Sequence, residues 1–186
     1  ALWSFGLTEP GAGSDSRGSK TTAVLDGNEW VINGSKIFIT NGSSEISKGC
    51  TVQAVSDAKN GKKVFTTILV EKGTPGFTVK TMHGKMMWRA SDTAELYFDD
   101  CRVPKVNLLG EVGKGSKIML STLDGGRLSI AAMGLGLAKG AFEMALAYAN
   151  ERKQFGKPIS KFQINAFKLA DMATKIELAR NLLYKA

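Results

Sequence analysis

The apolar residues of this 186-residue chain change their spacing near Gly115, and this change constrains the fold more than any other feature. Before Gly115, short apolar runs are separated by turn residues such as Asp26-Gly27-Asn28, Asn33-Gly34 and Asn41-Gly42. After it, apolar residues recur at intervals of three and four. Short runs broken by Asp-Gly or Asn-Gly indicate paired strands, and the longer period indicates helices. The sequence therefore predicts a β half followed by a helical half, an α+β fold.

The first half, residues 1–112, is predicted to be an antiparallel β-sandwich or β-barrel domain. Turn signals at regular spacing between short strands are typical of these architectures. The predicted strands cover residues 23–25, 29–32, 36–40, 51–56, 64–71, 77–82 and 93–98. Asn33-Gly34 is predicted to close a tight hairpin, and Asn60-Gly61 a later turn.

The second half, residues 113–186, is predicted to form two long helices. The first runs from about Gly115 to about Arg152, and the second follows Pro158 and continues to the end of the chain. A short connection predicts an antiparallel helical hairpin, whose apolar faces need further helices from the same or another chain. Five glycines in the first helix indicate either close helix packing or space for a ligand: Gly125, Gly126, Gly134, Gly136 and Gly140.

The charge is unevenly distributed. The chain has 25 Lys+Arg and 17 Asp+Glu, a net charge of +8, and residues 151–186 hold eight basic and three acidic side chains. Such a basic segment is one signature of a nucleic-acid surface. Phe162 and Phe167, however, lie on the apolar stripe of the second helix and not among exposed basic residues, so no nucleic-acid partner is predicted. Since no uninterrupted apolar run reaches the ~20 residues of a membrane span, no membrane partner is predicted either.

Several common kinds of catalytic site are excluded. His83 is the only histidine, and its Thr-Met-His-Gly-Lys surroundings predict a surface turn. Cys50 and Cys101 lack metal-ligand spacing, and reduced thiols are favoured over a disulfide. The sequence shows no paired carboxylates, zinc motif or phosphate-loop lysine. No metal site is predicted.

Four segments remain that carry polar groups suited to a ligand. They are Thr-Glu-Pro-Gly-Ala-Gly-Ser-Asp (8–15), Phe-Ile-Thr-Asn-Gly (38–42), Leu-Asp-Gly-Gly-Arg (123–127) and Glu-Arg-Lys-Gln-Phe-Gly-Lys-Pro-Ile (151–159) with Phe162-Gln163. Glycines in the first allow a close approach of backbone amides, although a generic tight loop is the alternative. In the second, strand alternation predicts that Phe38 and Thr40 share one face.

In this order, the four segments resemble the acyl-CoA dehydrogenase family over essentially the whole chain. The resemblance implies the middle β-domain followed by the first two helices of a C-terminal four-helix domain. It also implies that the N-terminal helical domain and the rest of the C-terminal domain are missing from these residues. Members desaturate an acyl-CoA thioester: a glutamate removes the α-proton, and the β-hydrogen leaves as hydride to N5 of FAD.

The resemblance implies roles for individual residues. The residues implied to bind FAD are Phe5, Leu7, Thr8, Phe38, Thr40, Arg152, Phe155 and Gln163. Of these, Arg152, Phe155 and Gln163 would contact the adenosine-diphosphate part of the FAD bound to a neighbouring subunit. For acyl-CoA binding they are Ser14, Ser91, Asp124 and Arg127. An aromatic ring that covers a flavin and an arginine that binds a pyrophosphate are physically suited to these roles.

Three positions depart from the family's pattern. Many members have Trp where this chain has Phe38, and Gly where it has Met87. In the isovaleryl- and long-chain-type branches the catalytic glutamate precedes the arginine at position 127, where this chain has Gly126. The chain therefore resembles the short-chain, butyryl-type branch, and the resemblance places the base beyond Ala186. No catalytic residue is predicted within the chain, and the chain alone is expected to be inactive.

The implied partners are an acyl-CoA substrate, an electron-transfer flavoprotein and further copies of the chain in a homotetramer. The compartment would be the cytoplasm in a bacterium and the mitochondrial matrix in a eukaryote. The alternative is a non-catalytic module that binds flavin or acyl-CoA on the same scaffold.

Overall fold

The computed structural model describes residues 1–59 and 62–186, so the predicted turn at Asn60-Gly61 lies outside the described residues. The chain separates into two compact units, Ala1–Ser121 and Thr122–Ala186. The first unit holds all the long strands, and the second holds most of both helices. The boundary between residues 112 and 113 stays a prediction.

Seven strands of the first unit form one sheet. They are β1 (Leu2–Gly6), β2 (Thr22–Asp26), β3 (Glu29–Thr40), β4 (Ser47–Lys59), β5 (Lys62–Glu71), β6 (Phe77–Thr81) and β7 (Thr93–Pro104). The order is β1-β4-β2-β3-β7-β6, and β5 pairs with β4. The predicted strands are present, and β1 is a strand that the sequence reading did not identify.

The sheet is mixed because β4 pairs with neighbours of both orientations. Along one edge it pairs antiparallel with β5. Along the other, its first half pairs parallel with β1, and Val55 pairs parallel with Thr22 of β2. The remaining pairs within this sheet are antiparallel. The predicted class, a β-domain followed by two long helices, is thus confirmed, with a sheet that is not wholly antiparallel.

Asp26 and Glu29 face each other across a two-residue turn that begins with Gly27 at φ +60°, as predicted. The predicted hairpin at Asn33-Gly34 is wrong, because β3 runs straight through it. Asn33 is held by β7, where its side chain bonds both the backbone N–H and the carboxylate of Asp100. Gly34 is required for a close approach: a Cβ there would lie 2.6 Å from the hydroxyl oxygen of Thr21.

The core of the first unit consists of inward-facing strand residues. It contains Ala23, Trp30, Ile32, Ile39, Cys50, Val52, Ala54, Ile68, Val70, Ala94, Leu96, Phe98, Cys101 and Val103. Phe77 of β6 stacks on Phe98 of β7 with ring centroids 5.0 Å apart. Most of these residues are β-branched or aromatic, which suits strands that alternate between a core and a solvent face.

Cys50 and Cys101 are both buried and form no disulfide in the structure. Burial raises the pKa of Cys50 to about 12 and that of Cys101 to about 11. Because the thiolate is the reactive form, we expect neither to react with a thiol reagent such as DTNB in the folded protein. Both should react after denaturation in urea. Rapid modification of either thiol in the native protein would contradict this expectation.

The helical half contains α1 (Gly115–Glu151) and α2 (Gln163–Lys185), which confirms the two predicted long helices. A small hairpin of β8 (Lys153–Gln154) and β9 (Lys157–Pro158) lies between them. The first turns of α1 belong to the first unit, where Thr67 donates a hydrogen bond to the carbonyl of Gly115. The antiparallel packing of the helices stays a prediction.

Both helices expose apolar side chains within the described residues. Examples are Leu137, Met144, Phe167 and Leu182, each at least 64% exposed. By length and composition α1 alone among the described helices is apolar enough to cross a membrane, a test that bundle helices also pass. A Cβ at any of the five α1 glycines would meet no described atom within 4 Å, so the structure shows no close packing at these glycines.

Candidate functional site

The 8–15 segment follows β1 and is held against β3. The backbone N–H of Ile37 donates to the carbonyl of Thr8 at 2.9 Å. Glu9 and Ala12 exchange two backbone hydrogen bonds at 3.0 and 3.1 Å, which close a tight turn over Pro10-Gly11. The sequence therefore places this glycine-rich loop directly beside the strand that carries Phe38.

Phe38 lies in a β-bulge. Lys36 pairs with Leu96 and Ile39 with Ala94, so β3 has one residue more than β7 between these pairs. Phe38 has φ +61°, which is unfavourable for a bulky residue, and its ring is 62% exposed. Such strain persists only where the surroundings impose it, and it is frequent at ligand sites.

The bulge changes which residues share a face. With strict alternation Lys36, Phe38 and Thr40 would lie together, yet Lys36 is fully buried while Phe38 and Thr40 are exposed. The predicted shared face of Phe38 and Thr40 is present, since alternation resumes after the bulge. Lys36 is turned to the interior instead.

A buried ion pair underlies these two segments. Lys36 Nζ lies 2.8 Å from Glu9 Oε1 and donates to the carbonyl of Leu7 at 3.2 Å. Glu9 also accepts backbone N–H bonds from Lys20 and Thr21 at 2.7 and 3.1 Å. Burial lowers the pKa of Lys36. Burial alone would raise the pKa of Glu9, but the hydrogen bonds from Lys36 and from the Lys20 backbone bring it below its ordinary value. The hydrogen bonds thus favour the charged carboxylate of Glu9, and the contact with Glu9 opposes the effect of burial on Lys36.

A second carboxylate anchors the loop after Thr40. Asp92 accepts backbone N–H bonds from Ser43 and Ser44, both at 2.9 Å, and its own carbonyl accepts the N–H of Asn41 at 3.1 Å. The predicted substrate residue Ser91 is its neighbour, and the ammonium of Lys85 bonds the Ser91 carbonyl. The loop that follows Thr40 is thus joined to the segment that holds Ser91.

Sequence reasoning missed Lys36 and Asp92 as site-forming residues. The available signal for Lys36 was a charge inside an apolar strand run, Ile37 and Ile39 being its neighbours. For Asp92 no such signal exists, because its partners are backbone amides about 50 residues earlier.

The other predicted residues of the first unit differ in accessibility. Ser14 is exposed, Phe5 and Thr8 are half-buried, and Leu7 is 7% exposed. Leu7 therefore offers a ligand little of its side chain, and its carbonyl is bonded to Lys36. Within the described part of the chain, the hydroxyls of Thr8 and Thr40 have no hydrogen-bond partner, which leaves both available.

The second unit holds the remaining predicted residues. Asp124 and Arg127 lie one turn apart on α1 and form an exposed ion pair. Arg152 follows α1, and Gln163 begins α2. All four are exposed.

Phe155 lies at the tip of the β8–β9 hairpin. Phe155 and Gly156 have φ +50° and +77°, the backbone of a two-residue hairpin turn. Phe155 is 93% exposed, and its ring lies nearly perpendicular to that of Phe162 at a centroid distance of 6.1 Å. Phe155 and Phe38 thus both present a solvent-facing ring from a left-handed backbone.

This arrangement suits a planar, polar-edged ligand. The exposed ring of Phe38 supplies an apolar face, and the hydroxyls of Thr8 and Thr40 supply hydrogen bonds at its edge. Within residues 1–59 and 62–186 no cluster of His, Cys, Asp and Glu is suited to a metal ion.

Comparison with known proteins gives two matching family models. The model described as "Acyl-CoA dehydrogenase, middle domain" matches residues 4–101, and "Acyl-CoA dehydrogenase, C-terminal domain" matches residues 113–186. The two models match the strand-containing and the helical parts of the chain respectively.

Similar proteins extend over the entire chain. The short-chain specific acyl-CoA dehydrogenase of Clostridium acetobutylicum is 50% identical over 100% of the chain and 48% of its own length. The structure of butyryl-CoA dehydrogenase from Megasphaera elsdenii is 49% identical, with a TM-score of 0.92 over 99% of this chain and 48% of that one. A chain in a structure of the electron transferring flavoprotein of Acidaminococcus fermentans is 50% identical, with the same TM-score and the same coverage. The chain spans about half the length of these relatives.

Proposed function

Because the chain belongs to the acyl-CoA dehydrogenase family, whose members are FAD-dependent oxidoreductases, we propose that it takes part in the α,β-dehydrogenation of a short-chain acyl-CoA. The substrate would lose its α-proton to a carboxylate, and its β-hydrogen would leave with the bonding electron pair, for which bound FAD would be the acceptor. The product is the trans-2-enoyl-CoA. The electrons then pass to an electron-transfer flavoprotein.

One observation carries this proposal. The Ile37–Thr8 hydrogen bond joins the two segments to which the family resemblance assigns the flavin ring, and the Thr8 and Thr40 hydroxyls beside it have no partner among the described residues. Donors without protein partners next to an exposed aromatic ring are what a flavin requires. The residues present therefore fit FAD.

When bound, FAD supplies the acceptor for the hydrogen that leaves Cβ. Phe38 would cover one face of the ring and exclude water from it. Thr40 would donate a hydrogen bond near the reacting edge, and Thr8 would hold the opposite polar edge. Phe5 and Leu7 would line the ring.

The residues of the second unit would bind phosphates and the substrate's carrier. Arg152, Phe155 and Gln163 are proposed to hold the adenosine-diphosphate part of FAD in a neighbouring copy, since a guanidinium binds pyrophosphate oxygens in pairs. Asp124 and Arg127 are proposed to contact the pantetheine and nucleotide part of CoA, with Ser14 and Ser91 nearer the acyl group. This arrangement needs a homo-oligomer, proposed to be a tetramer.

The carboxylate that accepts the α-proton is proposed to lie outside residues 1–186. Gly126 occupies the position where one branch of the family carries it. Of the nearby glutamates, Glu143 is paired with Lys139 at 3.6 Å, and neither it nor Glu151 matches a base position in the family.

The test is anaerobic titration of the FAD-loaded holoenzyme with butyryl-, hexanoyl- and octanoyl-CoA. We expect FAD to bind, and the flavin absorbance to bleach most readily with butyryl-CoA. An octanoyl-CoA optimum would refute the short-chain assignment. Tight FAD binding without bleaching by any thioester would favour the non-catalytic module, and absence of FAD binding would refute the function itself. The isolated 186 residues should bleach with none, and turnover by them would contradict an external base.

A further inference from the structure

We propose that Lys36 is a positioning residue for the flavin, whose single buried ammonium fixes both chain segments that face the ring. This inference rests on the proposed function, which places Leu7–Thr8 and Phe38–Thr40 against the flavin. Neither Lys36 nor its partner Glu9 would touch the cofactor in this arrangement, since both side chains lie beneath the surface, 0% and 7% exposed.

The first step is the hold on the Leu7–Glu9 segment. Lys36 Nζ donates to the Leu7 carbonyl and pairs with the Glu9 carboxylate, while the next backbone N–H, that of Ile37, donates to the Thr8 carbonyl. Three successive residues are thus fixed by two neighbouring residues of β3. In the described part of the chain, the hydroxyl and the backbone N–H of Thr8 have no hydrogen-bond partner.

The second step is the reach of Glu9 beyond this contact. Its two carboxylate oxygens accept backbone N–H bonds from Lys20 and Thr21, the two residues immediately before β2. The ion pair therefore joins the loop, β2 and β3 at one point. Gly6 lies beside the lysine stem, and a Cβ there would lie 2.8 Å from the Cys50 sulfur but at an ordinary contact distance, 3.6 Å, from Cγ of Lys36.

The third step is the hold on Phe38. Lys36 is the last residue of β3 in register with β7 before the bulge. Because its ammonium must stay on Glu9, its side chain cannot turn to the solvent face. A shift of the bulge by one residue would exchange the faces of the following side chains and turn Phe38 inward. The ion pair thus fixes the bulge position that leaves Phe38 exposed and in the left-handed region.

Removal of one member of the Lys36–Glu9 ion pair should strongly lower the stability of the folded protein, whereas removal of both charges should lower it much less. Lys36→Met leaves the Glu9 carboxylate buried without a counter-charge, a strongly destabilising change. Lys36→Met combined with Glu9→Gln buries no unpaired charge, and the amide oxygen introduced by the second substitution can still accept an N–H bond from Lys20 or Thr21. The double variant nevertheless lacks the ammonium bond to the Leu7 carbonyl.

The experiment compares wild type, Lys36→Met and the double variant by thermal unfolding, by FAD dissociation constant and by the visible circular dichroism of bound FAD. In Lys36→Met we expect the FAD dissociation constant to rise about tenfold or more. The double variant should recover most of the thermal stability, yet keep the weakened FAD binding and an altered flavin spectrum. Recovery of FAD affinity together with stability would show a merely structural pair and overturn the inference.

Two controls match the changes. Arg102→Met breaks an exposed ion pair with Asp26 and Glu29 on the same sheet, and Val103→Ala weakens the core at the far end of β7. Both should leave FAD affinity and the flavin spectrum as in wild type. An equal loss of affinity in Val103→Ala would overturn the proposal, since the effect would then follow stability alone.

Amide hydrogen exchange separates this inference from the proposed function, because it needs no FAD. The N–H groups of Ile37, Lys20 and Thr21 should exchange at least about tenfold faster in Lys36→Met than in Val103→Ala. If wild type fails to bind FAD, the proposed function fails whatever these amides show. If wild type binds FAD and the Ile37 amide stays protected in Lys36→Met, the positioning role fails alone.

Discussion

Gly76→Ala is expected to destabilise the first unit by about 4 kcal/mol, enough to unfold a domain of ordinary stability. Gly76 precedes β6 with φ +77°, a backbone region that a residue with a Cβ avoids. A Cβ there would also lie 2.2 Å from the carbonyl oxygen of Asp99 and 3.0 Å from the backbone of Cys101. Because both contacts are with backbone atoms of β7, relief requires the β6–β7 pairing to open.

Gly84→Ala is the matched control for this change. Gly84 has φ +76°, and a Cβ there would meet nothing within 4 Å. It therefore carries the same backbone strain without the contact, and should cost only about 1 kcal/mol. Urea unfolding followed by far-ultraviolet circular dichroism measures both variants. Equal losses in the two variants would show that φ, and not the contact with β7, decides the effect.

The strands and helices could be predicted from the sequence where local signals and pairing agree. At Gly27-Asn28 the local turn signal and the strand pairing agree, because β2 before the turn pairs with β3 after it. Asn33-Gly34 has an equally strong turn signal, but β7 offers Asn33 the backbone and carboxylate of Asp100. Pairing with β7 along the whole of β3 outweighs the local preference, and no short-range pattern reveals a partner almost 70 residues away.

The sequence indicated which segments form the site, but not which buried side chains hold these segments in place. The 8–15 and 38–42 segments carry glycines and hydroxyls that indicate a ligand, and the structure places them side by side. The bulge at Phe38 places Phe38 on the opposite face from Lys36, and strand alternation cannot predict this change. The Glu9–Lys36 and Asp92 anchors depend on contacts between distant residues, which a single sequence does not display.

Leu96→Ala is expected to destabilise the same unit by about 3 kcal/mol. Leu96 is fully buried in the core cluster and pairs with Lys36 across β3 and β7. Its Cδ2 also lies close beneath the turn after Thr40, 3.2 Å from where a Cβ on Gly42 would be. Truncation removes apolar contacts and leaves a cavity, since strands bonded on both sides cannot collapse to fill it.

Leu25→Ala provides the comparison, because Leu25 is the same residue type in the same sheet but 41% exposed. It should cost less than about 1 kcal/mol, as surface changes usually do. Equilibrium unfolding in urea gives both values, and an unchanged denaturant slope would show that the unfolded states are alike. The Asn41 amide, which bonds the Asp92 carbonyl, should exchange faster in Leu96→Ala only, since the core beneath that turn is loosened. A loss in Leu96→Ala no greater than in Leu25→Ala would mean that Leu96 is not packed as described, and the support of the Phe38–Thr40 segment would have to be sought in β3 alone.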